Sequence, residues 1–137
     1  MTERTQASAG NLTGVWDGVY SYPGRYKSVT FVASLIESGN WLSGSTHEPC
    51  VGANCPSDTL YATLAGSRRG SAVTFVKTYD CAGPHFQSPV DYEGTLNRDE
   101  TEIEGRWIIR QVWAGRFLMI RSAGKTATVA REKFERV

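Results

Sequence analysis

The sequence has no excess of charge of either sign: 15 Lys and Arg stand against 14 Asp and Glu in 137 residues, a net of +1. A dedicated nucleic-acid binder presents a basic face, so this balance argues against nucleic acid as a partner. Long apolar runs are missing as well. No stretch approaches the roughly 20 apolar residues of a membrane-spanning helix, and the polar segment Met1 to Gly10 holds no signal-peptide core. The expectation is a protein of the cytoplasm with no membrane partner. A phosphate-binding loop and a dinucleotide fingerprint are both lacking, and no cofactor is implied. Cysteine is scarce and odd in number, with Cys50, Cys55 and Cys81, so complete pairing within one chain is excluded. Nor does a helical period compete anywhere between Gly14 and Arg121.

Aromatic residues and glycine are plentiful: 5 Phe, 4 Trp and 6 Tyr accompany 14 Gly. That mixture suits strands joined by tight turns. Eight segments read as strands: 14–22, 28–37, 41–45, 60–67, 71–79, 90–97, 101–110 and 115–121. Their near-regular spacing predicts an all-β fold, an eight-stranded antiparallel up-and-down barrel whose closure removes the exposed edges of an open sheet. The barrel is expected over residues 13–121, after a flexible segment 1–12. In the tail, 122–137, Ala130, Phe134 and Val137 fall at i, i+4 and i+7. That spacing fits a short helix on the barrel wall or a frayed end.

Alternation by two predicts an interior of Trp16, Tyr20, Phe31, Leu35, Leu42, Leu64, Phe75, Tyr92, Leu96, Ile103, Trp107, Phe117 and Met119. Lys77 and Tyr79 share a face with Phe75. Pointing inward, Lys77 would be a buried charge in need of a partner or an anionic ligand; the reading favoured here turns it outward as a solvated residue. Val32, Ile36, Ile108, Leu118 and Ile120 are apolar on the opposite face. Packing of that outer wall on a second copy, as a homo-oligomer, is an alternative function.

In such a meander successive connections alternate between the two ends. The turns at Ser38-Gly39-Asn40, Arg68-Arg69-Gly70 and Arg98-Asp99-Glu100 share one end. The longer connections 22–27, 46–59, 80–89 and 110–114 share the other, which becomes the candidate mouth. That mouth gathers both histidines and all three cysteines. His47, Cys50, Cys81 and His85 are candidate metal ligands, with Cys55 close by, although the Cys50–Cys55 spacing is loose for zinc. A bridge between Cys50 and Cys55 is the competing reading, disfavoured by a reducing compartment. His47, Glu48, Asp80 and His85 are candidate acid and base groups for an enzyme at the mouth. The leading expectation is binding of a small apolar or aromatic molecule. Its contacts would be Tyr20, Tyr22, His47, Glu48, Phe75, Tyr79, Asp80, His85, Tyr92, Trp107 and Trp113.

Gly14-Val15-Trp16 at the head of the first strand resembles the G-x-W opening of lipocalins and their calycin relatives. The resemblance implies that Trp16 closes one end of the barrel, with Arg121 of Phe117-Leu-Met-Ile-Arg121 packed across it. The hairpin Tyr92-Glu-Gly-Thr-Leu96 to Ile103-Glu-Gly-Arg-Trp107 looks like those of the avidin branch, and the even meander is also closer to avidin. The polar and tryptophan contacts of avidins to biotin do not match this sequence residue by residue, so biotin is not implied. The whole pattern looks like a bacterial group of calycin-like barrels, which implies a fold and leaves the activity open.

Overall fold

The computed structural model describes residues 11–24, 27–50, 55, 57–81 and 88–122. Eight antiparallel strands follow in chain order: β1 (Gly14–Ser21), β2 (Val29–Ser38), β3 (Trp41–Pro49), β4 (Thr59–Arg69), β5 (Ala72–Tyr79), β6 (Val90–Leu96), β7 (Glu102–Ile109) and β8 (Trp113–Arg121). Each pairs with the next, and β8 pairs with β1 from Trp16↔Arg121 to Ser21↔Arg116, which closes the barrel. Every strand therefore has both edges satisfied.

The interior follows from the period of two. All the side chains predicted to point inward are buried in one cluster, joined by Leu12, Val29, Ala33, Val73 and Val90. Leu12 was expected in the flexible leading segment, yet it is fully buried. Its N–H donates to Glu37 Oε1 at 2.7 Å, and its carbonyl accepts the Trp16 indole N–H at 2.9 Å. Bulky rings fit because glycine stands beside them. A Cβ on Gly18 would collide with the Phe31 ring, and one on Gly115 would meet the Trp107 indole.

One end is sealed. Arg121 lies 4.7 Å from the Trp16 ring and donates to the carbonyls of Asn11, Thr13 and Glu100. Arg68 bridges Glu37 at 3.3 Å and Glu100 at 2.7 Å. The connections here are short. Gly39 and Gly70, each at positive φ, occupy the first central position of two-residue turns between Ser38↔Trp41 and Arg69↔Ala72. In the third turn the Asn97 side chain accepts from the N–H groups of Thr101 and Glu102.

The opposite end differs from the expectation in two respects. The β7–β8 connection is only Arg110-Gln111-Val112, because the ladder continues to Ile109↔Trp113. Positive φ at Gln111 and the Val112 N–H to Ile109 carbonyl bond complete this turn, so it is not one of the long loops. The second difference is larger. β3 runs on to Pro49, paired with Thr59, so Thr46, His47 and Glu48 belong to a strand and not to a loop.

On the outer face Val19, Leu118 and Ile120 form a second buried cluster. Leu118 and Ile120 are thus covered within the chain and are not free to meet a second copy; Ile36 remains exposed. The expected tail helix of residues 123–137 lies outside the described residues.

Candidate functional site

Strand geometry sorts the residues of the half opposite the Trp16–Arg121 seal. Along β3, alternate side chains face opposite sides, so Thr46 and Glu48 point into the barrel while His47 and Pro49 point out. Along β5, Val73, Phe75 and Lys77 are buried and their neighbours are exposed. Lys77 is 1% exposed and Glu48 is 2% exposed. The outward placement favoured for Lys77 is therefore wrong: no bulge interrupts β5, and the alternation that puts Phe75 inside puts Lys77 inside too.

The two buried charges meet. Lys77 Nζ donates to Glu48 Oε1 at 2.6 Å. Tyr20 donates its hydroxyl to Glu48 Oε2 at 2.5 Å, and the Tyr79 hydroxyl lies 3.2 Å and 3.1 Å from the two carboxylate oxygens. The carboxylate acceptors are thus engaged by neighbouring donors. The ammonium is less well served. Beyond Glu48 it rests on ring faces, 4.7 Å from the Tyr79 centroid, 5.0 Å from Tyr20 and 5.3 Å from Phe31. An ammonium has three N–H donors, so aromatic faces take the place of oxygen acceptors for the remainder.

Burial sets the electrostatics. It pushes the Tyr20 hydroxyl far above its ordinary value, with Tyr79 and the Glu48 charge adding to the effect. Burial does the same for Tyr79 and Tyr92, again reinforced by Glu48. Tyr22 rises through burial, opposed by its hydrogen bond with Tyr20. Lys77 is lowered by burial, against which the Glu48 charge and hydrogen bond hold its proton on. The tyrosines are therefore neutral donors around one compensated ion pair.

At the barrel end opposite Trp16 and Arg121, an aromatic group gathers where β1, β7 and β8 meet. Tyr22 stands 5.4 Å from Trp107 and 4.9 Å from Trp113, and Tyr20 stands 5.5 Å from Tyr22. The Trp107 indole N–H is held by the Ser21 carbonyl at 2.9 Å. Deeper in, Phe75 stacks on Tyr92 at 4.9 Å.

The sequence-derived candidates thus divide. Tyr20, Glu48, Phe75, Tyr92 and Trp107 are brought together in the interior, with Tyr22, Tyr79 and Trp113 half-buried above them. His47 is exposed on the outer wall beside Tyr61, with ring centroids 6.4 Å apart. Asp80 is exposed, its N–H bonded to the Tyr61 carbonyl. His47, Glu48 and Asp80 consequently do not converge as an acid–base set, because Glu48 alone faces inward. His85 lies outside the described residues.

Cys50 and Cys55 are joined in a disulfide, and Cys81 is a free, half-buried thiol. Cys50 is therefore unavailable as a metal ligand. Among the described residues no group of three His, Cys, Asp or Glu side chains could hold a metal. The bridge is at odds with the expected cytoplasmic location, since such bonds persist mainly in oxidising compartments. No helix among the described residues is long and apolar enough to cross a membrane. Replacing both bridge cysteines by Ser is expected to cost about 2 kcal/mol for so short a loop. A lowered denaturant midpoint would register this; an unchanged midpoint would contradict it.

Two buried residues, Lys77 and Thr46, are not among the contacts expected from the sequence, the inward placement of Lys77 being the less favoured of its two readings. Lys77 was signalled by the unbroken alternation from Val73. Thr46 was signalled by nothing, because the end of β3 was set too early. Comparison of the chain with protein-family models, curated proteins and solved structures gives no match in any of the three.

Proposed function

We propose that this protein is a calycin-type binding barrel, akin to avidins and lipocalins, that takes a small apolar or aromatic molecule through its open end. The observation that carries the reading is the Lys77–Glu48 pair, buried at 1% and 2% exposure among aromatic rings. Stability alone gives no reason for it. Apolar residues of similar volume serve a core as well as or better than a buried ion pair. A largely apolar interior with a few fixed polar groups is, by contrast, the usual composition of a small-molecule site. Tyr22, Trp107 and Trp113 supply the aromatic side of the approach, and Glu48 and Lys77 the polar floor. The saturated Glu48 carboxylate and the outward His47 favour binding over proton transfer.

N-Phenyl-1-naphthylamine, a neutral aromatic whose emission rises in apolar surroundings, provides the test. Saturable binding of one molecule per chain is expected, weakened about tenfold by Trp113→Ala through loss of ring contact. Emission that rises without saturation, or saturable binding untouched by Trp113→Ala, would count against the reading.

A further inference from the structure

Thr46 lies on the inward face of β3, two positions before Glu48. It is 3% exposed, and its hydroxyl oxygen has no hydrogen-bond partner in the protein. Its cross-strand neighbours are Ala33 on β2 and Ala62 on β4, both buried. This stretch of wall is thus made of short side chains around one polar atom. Buried hydroxyls are normally paired, so an orphan calls for an explanation. Lys77 reaches one oxygen, that of Glu48, and its other donors meet ring faces, which are weaker acceptors than a carbonyl oxygen. The charges of the floor, however, are already balanced. Among the described residues Glu48 and Lys77 are the buried charged groups, and they sum to zero.

From these facts we infer that the ligand carries no net charge and presents a hydrogen-bond acceptor, such as a carbonyl, to Lys77, with the Thr46 hydroxyl as a further polar contact. This rests on the binding reading above. An anion would approach Lys77 beside the Glu48 carboxylate and against the negative faces of tyrosine rings. A cation would approach Glu48 beside the Lys77 ammonium. Each would leave one charge unbalanced in a water-poor interior. A neutral acceptor adds a hydrogen bond to Lys77 and leaves the ion pair intact. A carbonyl oxygen has two lone pairs, so the Thr46 hydroxyl can donate a second hydrogen bond to the same oxygen that Lys77 reaches.

Four compounds of one ring size separate the possibilities: 2-acetylnaphthalene, naphthalene-2-carboxylate, 2-naphthylmethylammonium and naphthalene, each competing with N-phenyl-1-naphthylamine at pH 7. The ketone is expected to displace the probe at a concentration about tenfold lower than naphthalene or either ion requires, the advantage of one charge-assisted hydrogen bond. Thr46→Val is expected to shrink the ketone's advantage over naphthalene severalfold while naphthalene itself is unchanged. In the paired variant Glu48→Gln with Lys77→Met, which keeps the floor uncharged, the advantage should fall to the share that Thr46 supplies. A carboxylate or ammonium that competes as well as the ketone overturns the inference and leaves the binding reading standing. Failure of all four to displace a bound probe also overturns it. An effect of Thr46→Val on ketone and naphthalene alike assigns Thr46 a packing role and removes it from the polar contacts. Absence of saturable probe binding is the separate outcome that removes the binding reading itself.

Discussion

Glu48→Gln is expected to lower folding stability by about 3–5 kcal/mol, the usual cost of stranding one member of a buried ion pair. Glutamine preserves volume and an acceptor for Tyr20, so the loss isolates the missing charge opposite Lys77. Against a typical total of about 5–15 kcal/mol, this is a large fraction. The effect also has a sign in pH. Burial lowers the Lys77 pKa from its ordinary 10.5, and Glu48 opposes that fall. Without Glu48 the folded state sheds the Lys77 proton more readily than the unfolded chain, so the unfolded chain binds more protons and stability rises with pH. The deficit should therefore be greatest at low pH and ease as pH climbs toward 10.5. Urea midpoints of the variant between pH 6 and 9 measure this; a deficit independent of pH would show that Lys77 is not the stranded group.

Lys77→Met should cost less than Glu48→Gln. Tyr20 and Tyr79 continue to donate to the carboxylate when the ammonium is gone, whereas Lys77 has Glu48 as its oxygen partner. Combining both substitutions should restore stability to within about 1–2 kcal/mol of the parent, since no charge is left unpaired. A stable double variant separates the two roles of the pair: its fold persists while its polar floor is gone.

The fold was legible because the local signals agree. Alternation selected the interior, and turn residues such as Gly39 and Gly70 marked where strands reverse. The site was less legible, for two physical reasons. Lys77 follows Phe75 by one period, yet a buried charge is costly and its partner was not in view. The partner was hidden because the polar run Ser45-Thr-His-Glu has the composition of a loop. Pairing with β4 through Glu48↔Leu60 and Pro49↔Thr59 keeps that run extended, and this long-range ladder leaves no mark in composition. The Cys50 N–H bonds to the Asp58 carbonyl at 2.9 Å, which extends the hairpin beyond the last pair. Once β3 is extended, the segment that had offered His47 and Glu48 as a pair divides them between the two faces of the wall.

Raising the pH above 10 should unfold the barrel steeply. Tyr20, Tyr22, Tyr79 and Tyr92 all have folded-state values raised above the ordinary 10.0 by burial, with the Glu48 charge reinforcing it. A group whose folded pKa is raised contributes its stability fully below the unfolded value and loses it as pH rises toward the folded one. Each of the deeply buried tyrosines, Tyr20, Tyr79 and Tyr92, removes about 1.4 kcal/mol per pH unit above 10, so the three together remove about 4 kcal/mol per unit, while the half-exposed Tyr22 adds little. Lys77 acts in the opposite direction, adding stability as pH approaches 10.5, and its contribution ends where the tyrosine loss takes hold. Stability should therefore fall sharply once the pH passes 10, after whatever rise Lys77 contributes below 10.5. Tyrosinate absorbance near 295 nm from these groups should appear together with the loss of the far-ultraviolet strand signal. Tyr92→Phe should flatten the alkaline limb by one proton, because its ring remains stacked on Phe75 while its ionisable hydroxyl is removed. Ionisation of the whole tyrosine set while the strand signal stays intact would mean that the hydroxyls around Glu48 are open to water, and the dry polar floor would have to be abandoned.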